Sequence, residues 1–247
     1  HTYTNFTATL IAPSQADTLQ ELEIYDAVVV GGARYSATEF ASYASALRAY
    51  VEVGGGLVTT GWGIYSAQGL TGQARIDFDA VVPVNVSGSG DAYNYNGQFS
   101  PTGTHPIMEG ISSFLTGTYT QYPNGNPQLD VGATLLGNTD GGWAAAAAAE
   151  VGSGRTVYLG PIYAGFSSGW NTDALRTGDA DRLLVLEVAW AASDRDSYTF
   201  AANAADALVI ETRTPGDSAG EPENNLGLAL VLFGPDGQQI PSSAYTE

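Results

Sequence analysis

The residue types that most often perform covalent chemistry are scarce in this sequence. Among its 247 residues there is no Cys, all eight basic residues are Arg, and the two His are His1 and His105. The lack of Cys excludes a thiolate nucleophile and a Cys-type zinc site. The lack of Lys excludes Schiff-base catalysis and the lysine of a phosphate-binding loop. The sequence therefore favours a function that needs no covalent catalysis.

His105 is the one internal residue that could act as a catalytic imidazole. A Ser–His–Asp hydrolase would depend on it, but the residues around Ser66 do not form the Gly-x-Ser-x-Gly pattern of a nucleophilic serine. His105 precedes Pro106 and two apolar residues, which is typical of a turn that enters a short helix. We favour a structural role, in which His105 caps or hydrogen-bonds this turn, and keep catalysis as the alternative.

Aromatic side chains collect where the predicted parallel strands end. In open α/β sheets, ligands bind beyond the carboxyl ends of the strands. The candidate ligand-binding residues at those ends are Arg34, Tyr35, Trp62, Tyr65, Tyr163 and Trp170. Aromatic rings beside one arginine would suit a sugar or an acidic peptide. The alternative, which we favour, is that these rings pack beneath a loop or against a neighbouring domain.

Two acidic, glycine-containing loops are weak candidates for calcium. Asp140 lies in the loop at residues 138–142, and Asp217 begins the loop at residues 217–225. Carboxylate and carbonyl oxygens are the ligands that Ca²⁺ prefers, but neither loop has the spacing of an EF-hand. We favour solvated turns, and we expect no other cofactor and no other metal.

The charge balance narrows the range of partners. With 26 acidic and 8 basic residues the formal net charge is −18, which disfavours binding to nucleic acid and to anionic membranes. No segment approaches the roughly 20 apolar residues of a membrane-spanning helix. The low charged fraction of 14%, with no Cys and no Lys, indicates a secreted or cell-surface protein. An acidic cytosolic protein is the alternative.

The first half of the chain predicts a βαβ unit. The apolar run at residues 25–30 predicts a strand covered on both faces. A capping-box pattern at residues 36–39 then opens a helix, whose apolar residues recur at helical spacing to residue 51. The three glycines at 54–56 end this helix, and residues 57–60 predict the next strand. These elements indicate an α/β fold.

The remaining elements are less regular. We predict strands at 7–12, 79–86, 133–136, 143–150 and 155–159, and a long loop at 87–104. A second helix is predicted at 179–192 with Asp179 as its N-cap. After residue 192 the sequence changes to short β-runs separated by Asp, Gly, Pro and Asn turns. We therefore place a domain boundary between residues 192 and 193.

Residues 1–192 resemble the class I glutamine amidotransferase-like fold, and in particular its ThuA-like branch. The resemblance is carried, in order, by YDAVVVGG, ALRAYVEVGGGLVTTGWG, HPIMEGI, VGSGRTVYLGP and DADRLLVLEVAWAA. It implies a flavodoxin-like three-layer sheet with helices on both faces. Members usually begin one strand and one helix earlier, so we expect this chain to lack that opening βα unit.

Residues 193–247 resemble the first half of a bacterial pre-peptidase C-terminal (PPC) domain. The resemblance is carried by DSYTFAANAADALVIETRTPG and NNLGLALVLFGPDGQQI. It implies part of a β-sandwich of the kind appended to exported enzymes and surface proteins. Together the two resemblances imply that the chain is an internal piece of a longer exported polypeptide.

The resemblance also locates where amidotransferase chemistry would occur. That reaction needs a Cys on a strand–turn–helix elbow. Here the elbow matches residues 60–64, Gly61-Trp62-Gly63 at its centre, and the nucleophile position matches Trp62 or Gly63. Neither side chain can attack a carbonyl carbon, so we expect no glutaminase activity.

Three functions are consistent with these observations. The first is a non-catalytic structural or adhesive module of an exported multidomain protein, with other domains or neighbouring subunits as partners. The second is a carbohydrate- or peptide-binding module of a secreted hydrolase, with glycans as possible partners. The third is a degenerate amidotransferase-like hydrolase that works through His105. We predict the first.

Overall fold

The computed structural model describes residues 6–31, 37–86, 93–123, 125–163 and 173–192. The chain divides into two compact units, His1–Asp196 and Ser197–Glu247, and all described residues belong to the first. Its helices are α1 (Leu19–Leu22), α2 (Ala37–Glu52), α3 (Gly61–Ala67), α4 (Gly72–Asp79) and α5 (Gly178–Ala191). Its strands are β1 (Ala27–Val30), β2 (Gly56–Thr60), β3 (Tyr93–Tyr95), β4 (Gln98–Pro101), β5 (Phe114–Leu115), β6 (Tyr119–Gln121), β7 (Thr134–Thr139), β8 (Ala144–Val151) and β9 (Gly154–Leu159).

One seven-stranded mixed sheet organises this unit, in the order β1-β2-β9-β8-β7-β4-β5. Strands β1, β2 and β9 are parallel, and the pairs from β9 to β5 are antiparallel. Strands β3 and β6 form a separate antiparallel ribbon. The predicted α/β class with a flavodoxin-like sheet is confirmed.

Helices pack on both faces of the sheet because neighbouring strand residues point in opposite directions. Leu57 of β2 faces α2 and α4, in one core with Phe40 and Phe78. The next residue, Val58, faces α5, in a second core with Leu183. Burying each such side chain contributes about 1.5–3 kcal/mol relative to leaving it exposed. The three layers therefore follow from the alternation within β2.

Several predicted elements are confirmed. Helix α2 ends at Glu52, and Gly54 adopts the positive φ of 122° that lets a glycine terminate a helix. Strands β7, β8 and β9 and helix α5 lie where the sequence predicts them. The capping box at residues 36–39 begins at Ser36, which lies outside the described residues.

Other predictions of local structure are wrong. Residues 7–12 form no strand. Residues 80–86 are a turn after α4, and the carboxylate of Asp79, the last residue of α4, accepts a hydrogen bond from the Val86 amide at 3.1 Å. The predicted loop at 87–104 contains β3 and β4. Thr177, not Asp179, is the N-cap of α5, because the Asp179 carboxylate accepts a hydrogen bond from the Ser112 amide instead.

The helices in the described part of the chain are too short or too polar to cross a membrane.

Candidate functional site

The carboxyl ends of the three parallel strands meet at one edge of the sheet. Gly31, Gly61 and Gly160 follow these strands directly, and α3 begins at Gly61 with no intervening loop. The hydroxyl of Thr60 donates a hydrogen bond of 3.0 Å to the carbonyl oxygen of Gly31. The strand–helix elbow predicted at residues 60–64 is therefore present at this carboxyl edge.

The two glycines of the elbow lie in close contact with the backbone that follows or ends the neighbouring strands. A Cβ atom on Gly61 would overlap the carbonyl oxygen of Gly160, and one on Gly63 would lie 3.0 Å from the carbonyl oxygen of Val30. Between the two glycines, Trp62 is only 4% exposed. At the centre of the elbow, the indole of Trp62 is buried and the two glycines carry no side chain, so these three residues offer no nucleophilic group.

The β3–β6 ribbon lies beside these strand ends, to which it is joined through β6. The Gln121 amide donates to the carbonyl of Gly160 at 2.9 Å, and the Ile162 amide donates to the carbonyl of Tyr119 at 3.0 Å. The Gln121 side chain also donates to the side chain of Gln68, which follows α3, at 3.2 Å. Strand β6 of the ribbon thus lies at the end of the sheet where open α/β sheets bind ligands.

Those predicted strand-end aromatic residues that the structure describes contact other residues of the protein. The rings of Trp62 and Tyr65 meet edge to face at 5.5 Å. The hydroxyl of Tyr163 donates to the carbonyl of Ala180 in α5 at 2.8 Å. Ligand binding by these residues stays a prediction. Four further candidates lie outside the described residues, namely Arg34, Tyr35, Trp170 and Asp217.

His105 caps a turn, as predicted for its structural role. Its Nδ1 accepts a hydrogen bond from the Ile107 amide at 3.3 Å, at the start of the 3₁₀ turn Pro106–Met108. Its ring packs edge-on against Trp190, near the C-terminal end of α5, at 5.0 Å. Partial burial and the nearby Arg155 lower the pKa of His105 below its ordinary value of 6.5.

His105 and the elbow lie at opposite ends of the sheet. The guanidinium of Arg155 lies 5.1 Å from the ring of Trp190, which His105 also contacts. Arg155 stands near the start of β9, whereas the elbow residue Thr60 pairs with Leu159 at its end. Four residues of strand span about 13 Å. A nucleophile at the elbow and a base at His105 would therefore be too far apart for proton transfer.

Substituting His105 tests its capping role. We expect His105→Ala to lower the free energy of unfolding by about 1 kcal/mol, because the Ile107 amide loses its acceptor. His105→Asn supplies a side-chain oxygen at the same position and is expected to recover most of this loss. Urea unfolding of the three proteins measures both effects. Equal losses for the two variants would show that the cap contributes nothing.

Glu187 is a buried carboxyl group that the sequence analysis missed. It is 0% exposed, and among the described residues neither of its carboxyl oxygens has a hydrogen-bond partner. Burial raises its pKa well above the ordinary value of 4.5. The signal was available in the sequence, because Glu187 lies on the same helical stripe as Ala180, Leu183 and Ala191, which are buried against the sheet.

A second perturbed carboxyl group lies in the turn region beside α4. Burial and the neighbouring Asp79 raise the pKa of Asp130 from 3.8 to about 6. The folded protein therefore holds this proton more tightly than the unfolded chain, and the carboxyl group costs stability as the pH rises from about 4 to 6.

Asp130→Asn is accordingly expected to stabilise the protein more at pH 7 than at pH 4. Thermal unfolding at both pH values measures the difference, with Asp17→Asn, at an exposed carboxylate, as the control. An equal effect of Asp130→Asn at the two pH values would contradict the assignment.

No three acidic or His side chains converge into a metal-binding group within the described ranges. The carboxylate of Asp140, the described calcium candidate, accepts a hydrogen bond from the Asn94 side-chain amide. Calcium binding at Asp140 stays a prediction.

Exposed aromatic residues mark two surfaces that the sequence analysis did not single out. On the ribbon, Tyr93 and Tyr95 are 52% and 63% exposed and pack against Tyr119 from either side. In the β7–β8 turn, Trp143 is 45% exposed and stacks on Tyr122. Neither surface lies among the predicted strand-end residues.

Comparisons with known proteins identify the fold. Neither family models nor curated proteins match the sequence. Two cytoplasmic proteins from Salmonella typhimurium are similar in structure, with 19% and 17% sequence identity, a TM-score of 0.55 each, and 71% of this chain covering 75% of theirs. A protein described as ThuA-like from Bacteroides uniformis is 14% identical, with a TM-score of 0.52, over 74% of this chain and 75% of its own.

At these identities the likeness concerns the fold alone. The described unit has the class I glutamine amidotransferase-like fold of the ThuA-like proteins, as the sequence resemblance implies. The burial of Trp62 and the close packing of the elbow glycines are observed in this chain, and the fold likeness does not bear on them.

Proposed function

We propose that this chain is a non-catalytic structural or adhesive module of an exported multidomain protein, and that it joins a neighbouring domain or subunit by adding a strand to the open edge of β1. The proposal includes a PPC-type β-sandwich at residues 193–247. The elbow residues Gly61, Trp62 and Gly63, which carry no nucleophilic side chain, support the non-catalytic part of the proposal. The strand β1, at the edge of the sheet, supports the structural part.

The observation that carries this proposal is that the apolar strand β1 lies at the edge of the sheet and is partly exposed. Within the described residues β1 pairs with β2 and with no other strand. Its sequence Ala-Val-Val-Val is typical of a strand buried on both faces, yet Val29 is 48% exposed. By contrast, every residue of β2 is buried. An apolar strand with unpaired backbone groups on one side is a template for another strand.

The uncovered area lies on the face of the sheet that α5 covers farther in. Val29 is paired in register with Val58, which is buried beneath α5 together with Leu183. Val29 itself remains half exposed, so the side chains of the second core do not fully cover β1. A strand paired with β1, bearing its own apolar side chains, would extend this core and cover Val29.

The experiment compares the same substitution, valine to lysine, at two positions of similar exposure. Val29→Lys puts a charge on the β1 edge, and Val53→Lys puts the same charge just beyond α2, where the valine is equally exposed at 50%. We expect the wild-type polypeptide and Val53→Lys to form a large particle, measured by light scattering, because both keep the edge apolar. Val29→Lys is expected to reduce the particle to single subunits or to lower its mass severalfold.

A monodisperse 25.6 kDa monomer of the wild-type chain at all concentrations tested would contradict assembly through this chain alone. An equal effect of Val29→Lys and Val53→Lys would contradict the assignment to β1.

A second candidate function, a carbohydrate- or peptide-binding module, is favoured by the exposed ring of Trp143, which stacks on Tyr122. Soluble proteins bury most of their large apolar side chains, and contiguous exposed aromatics mark interaction surfaces. Affinity electrophoresis through gels that contain neutral polysaccharides tests this candidate. Migration that is unchanged by every polysaccharide would reject it.

A further inference from the structure

The turn between β7 and β8 presents one indole ring in a fixed orientation. Trp143 stacks on Tyr122 with ring centroids 5.0 Å apart and the planes only 4° from parallel. This stack covers one face of the indole, while Trp143 as a whole is 45% exposed. The backbone of Gly141 lies along one indole edge, since a Cβ there would be 2.8 Å from Cδ1 of Trp143. The accessible area of Trp143 is thus its second face and its outer edge.

An acid–amide pair joins this turn to β3. One carboxylate oxygen of Asp140 accepts a hydrogen bond from the side-chain amide of Asn94. Both groups lie over Gly97, whose missing Cβ would fall 2.5 Å from the Asn94 nitrogen and 3.0 Å from the Asp140 oxygen. Asp140 is exposed, and hydrogen bonds within the described residues engage only one of its two oxygens. The carboxylate is therefore held by one hydrogen bond on an exposed residue and keeps a second oxygen as an acceptor.

We propose that the surface of this turn, formed by Trp143 and Asp140 together with the neighbouring Tyr122 and Asn94, binds a neutral pyranose sugar. A pyranose has a face of C–H groups, which the electron-rich face of an indole attracts, and a rim of hydroxyl groups that donate hydrogen bonds to a carboxylate. The net charge of −18 disfavours sugars that carry sulfate, phosphate or carboxylate groups.

A proline-rich peptide is the other occupant that stacks on exposed aromatics. Proline has no backbone N–H, so a run of prolines gives the Asp140 carboxylate no hydrogen-bond donor. A pyranose offers several hydroxyl donors around its rim. The acid–amide pair therefore favours a sugar. This inference does not depend on strand pairing at β1, because the turn lies on the far side of β9 and β8 from that edge.

The test uses the whole chain and a defined panel of probes. Affinity electrophoresis is run through gels that contain mannan, galactomannan, xylan, soluble starch or mixed-linkage β-glucan. Saturation-transfer NMR is run with mannose, galactose, glucose and N-acetylglucosamine. A synthetic oligoproline is included as the peptide probe. Circular dichroism spectra establish that each variant is folded.

Three variants separate this turn from the other aromatic surface. We expect the wild type to bind at least one saccharide, and Trp143→Ala to weaken that binding more than tenfold because the stacking face is lost. Asp140→Asn keeps the shape of the side chain but loses the charged acceptor, and is expected to weaken binding severalfold. Tyr95→Ala, at the 63% exposed ring of the ribbon, is the matched control and should bind as the wild type does.

Three results would overturn the proposal. The first is a wild-type chain that binds none of the saccharides. The second is saccharide binding that Trp143→Ala leaves unchanged, or that Tyr95→Ala weakens equally. The third is binding of oligoproline, but of no saccharide, that depends on Trp143. None of these outcomes bears on the mass of the assembled particle, so failure here is distinguishable from failure of the structural role.

Discussion

Gly61→Ala is expected to lower the free energy of unfolding by about 3 kcal/mol, near the upper end of overpacking costs, although it adds a single methyl group. At Gly61 the added Cβ would overlap the carbonyl oxygen of Gly160 and lie 3.1 Å from Cγ1 of Ile162. The first of these neighbours is backbone, which cannot rotate away. The ends of β2 and β9 would have to separate, at the expense of the parallel pairing between Thr60 and Leu159.

The effect of Gly61→Ala is measurable as a melting temperature. For a domain of this size, 3 kcal/mol corresponds to a fall of roughly 6–12 °C. Gly69→Ala is the matched control, because a Cβ there meets only the methyl group of Ala37 at 3.3 Å and the carbonyl oxygen of Ser66 at 3.4 Å. We expect the control to change the melting temperature by less than half as much. A fall for Gly61→Ala no greater than for Gly69→Ala would show that the carboxyl edge has room for a side chain.

Glu187→Leu is expected to stabilise the protein at pH 7 by about 2 kcal/mol or more. Leucine has a similar volume and no polar atom, so it removes a buried carboxyl group that lacks hydrogen-bond partners. The side chain would complete the apolar stripe formed by Ala180, Leu183 and Ala191. Few single substitutions in a protein core stabilise it by this amount.

The pH dependence identifies the cause of this stabilisation. Because the folded-state pKa of Glu187 is raised above 4.5, the folded protein keeps the proton that the unfolded chain releases. Its effect on stability is smallest below about pH 4.5 and becomes increasingly unfavourable as the pH rises toward the folded-state pKa. Glu187→Gln cannot ionise, so its free energy of unfolding relative to wild type should rise between pH 4 and pH 8.

Urea unfolding at pH 4, 6 and 8 measures this trend. Glu109→Gln, at an exposed carboxylate, is the control for the general effect of removing one negative charge. A free-energy difference between Glu187→Gln and wild type that does not change with pH would mean that Glu187 is solvated in the folded protein.

The regular elements were predictable because local signals and tertiary packing agree. In α2 the apolar residues Phe40, Ala44, Leu47 and Val51 recur at helical spacing, and all four are buried in the first core. The alanine-rich strand β8 was predicted from its position between turn signals, and its burial pattern follows from its central place in the sheet. In α2 the periodicity alone determines which face is buried, whereas the first five residues of β8 are buried on both faces.

The turn after α4 and the β3–β6 ribbon were not predictable in the same way. The apolar residues of 79–86 suggest a strand, but the carboxylate of Asp79 folds the chain back on itself by accepting the Val86 amide. Strand β3 is three residues long and pairs with β6 across more than twenty residues of sequence. Such short strands owe their existence to a distant partner, which a local pattern does not reveal.

The position of the strand–helix elbow was predicted from the sequence, but the residues that pack around it were not. The elbow at Thr60 and Gly61 lies where the sequence places it, because a buried strand followed by glycines indicates a sharp strand–helix turn. Gln121, in β6 of the ribbon, donates a backbone hydrogen bond to Gly160 beside the elbow. Exposed aromatic residues such as Tyr95 and Trp143 belong to turns and edge segments whose exposure depends on the whole fold.

Hydrogen exchange at β1 tests the structural role most directly. Half of the backbone amides of an edge strand have no partner, so their exchange slows when another strand pairs with them. Mass spectrometry would follow the peptide that contains β1, in the assembled wild type and in the dispersed Val29→Lys variant, with a peptide from α2 as the internal reference. We predict that assembly slows exchange in the β1 peptide and leaves the α2 peptide unchanged. Equal exchange of the β1 peptide in both states would contradict pairing at this edge.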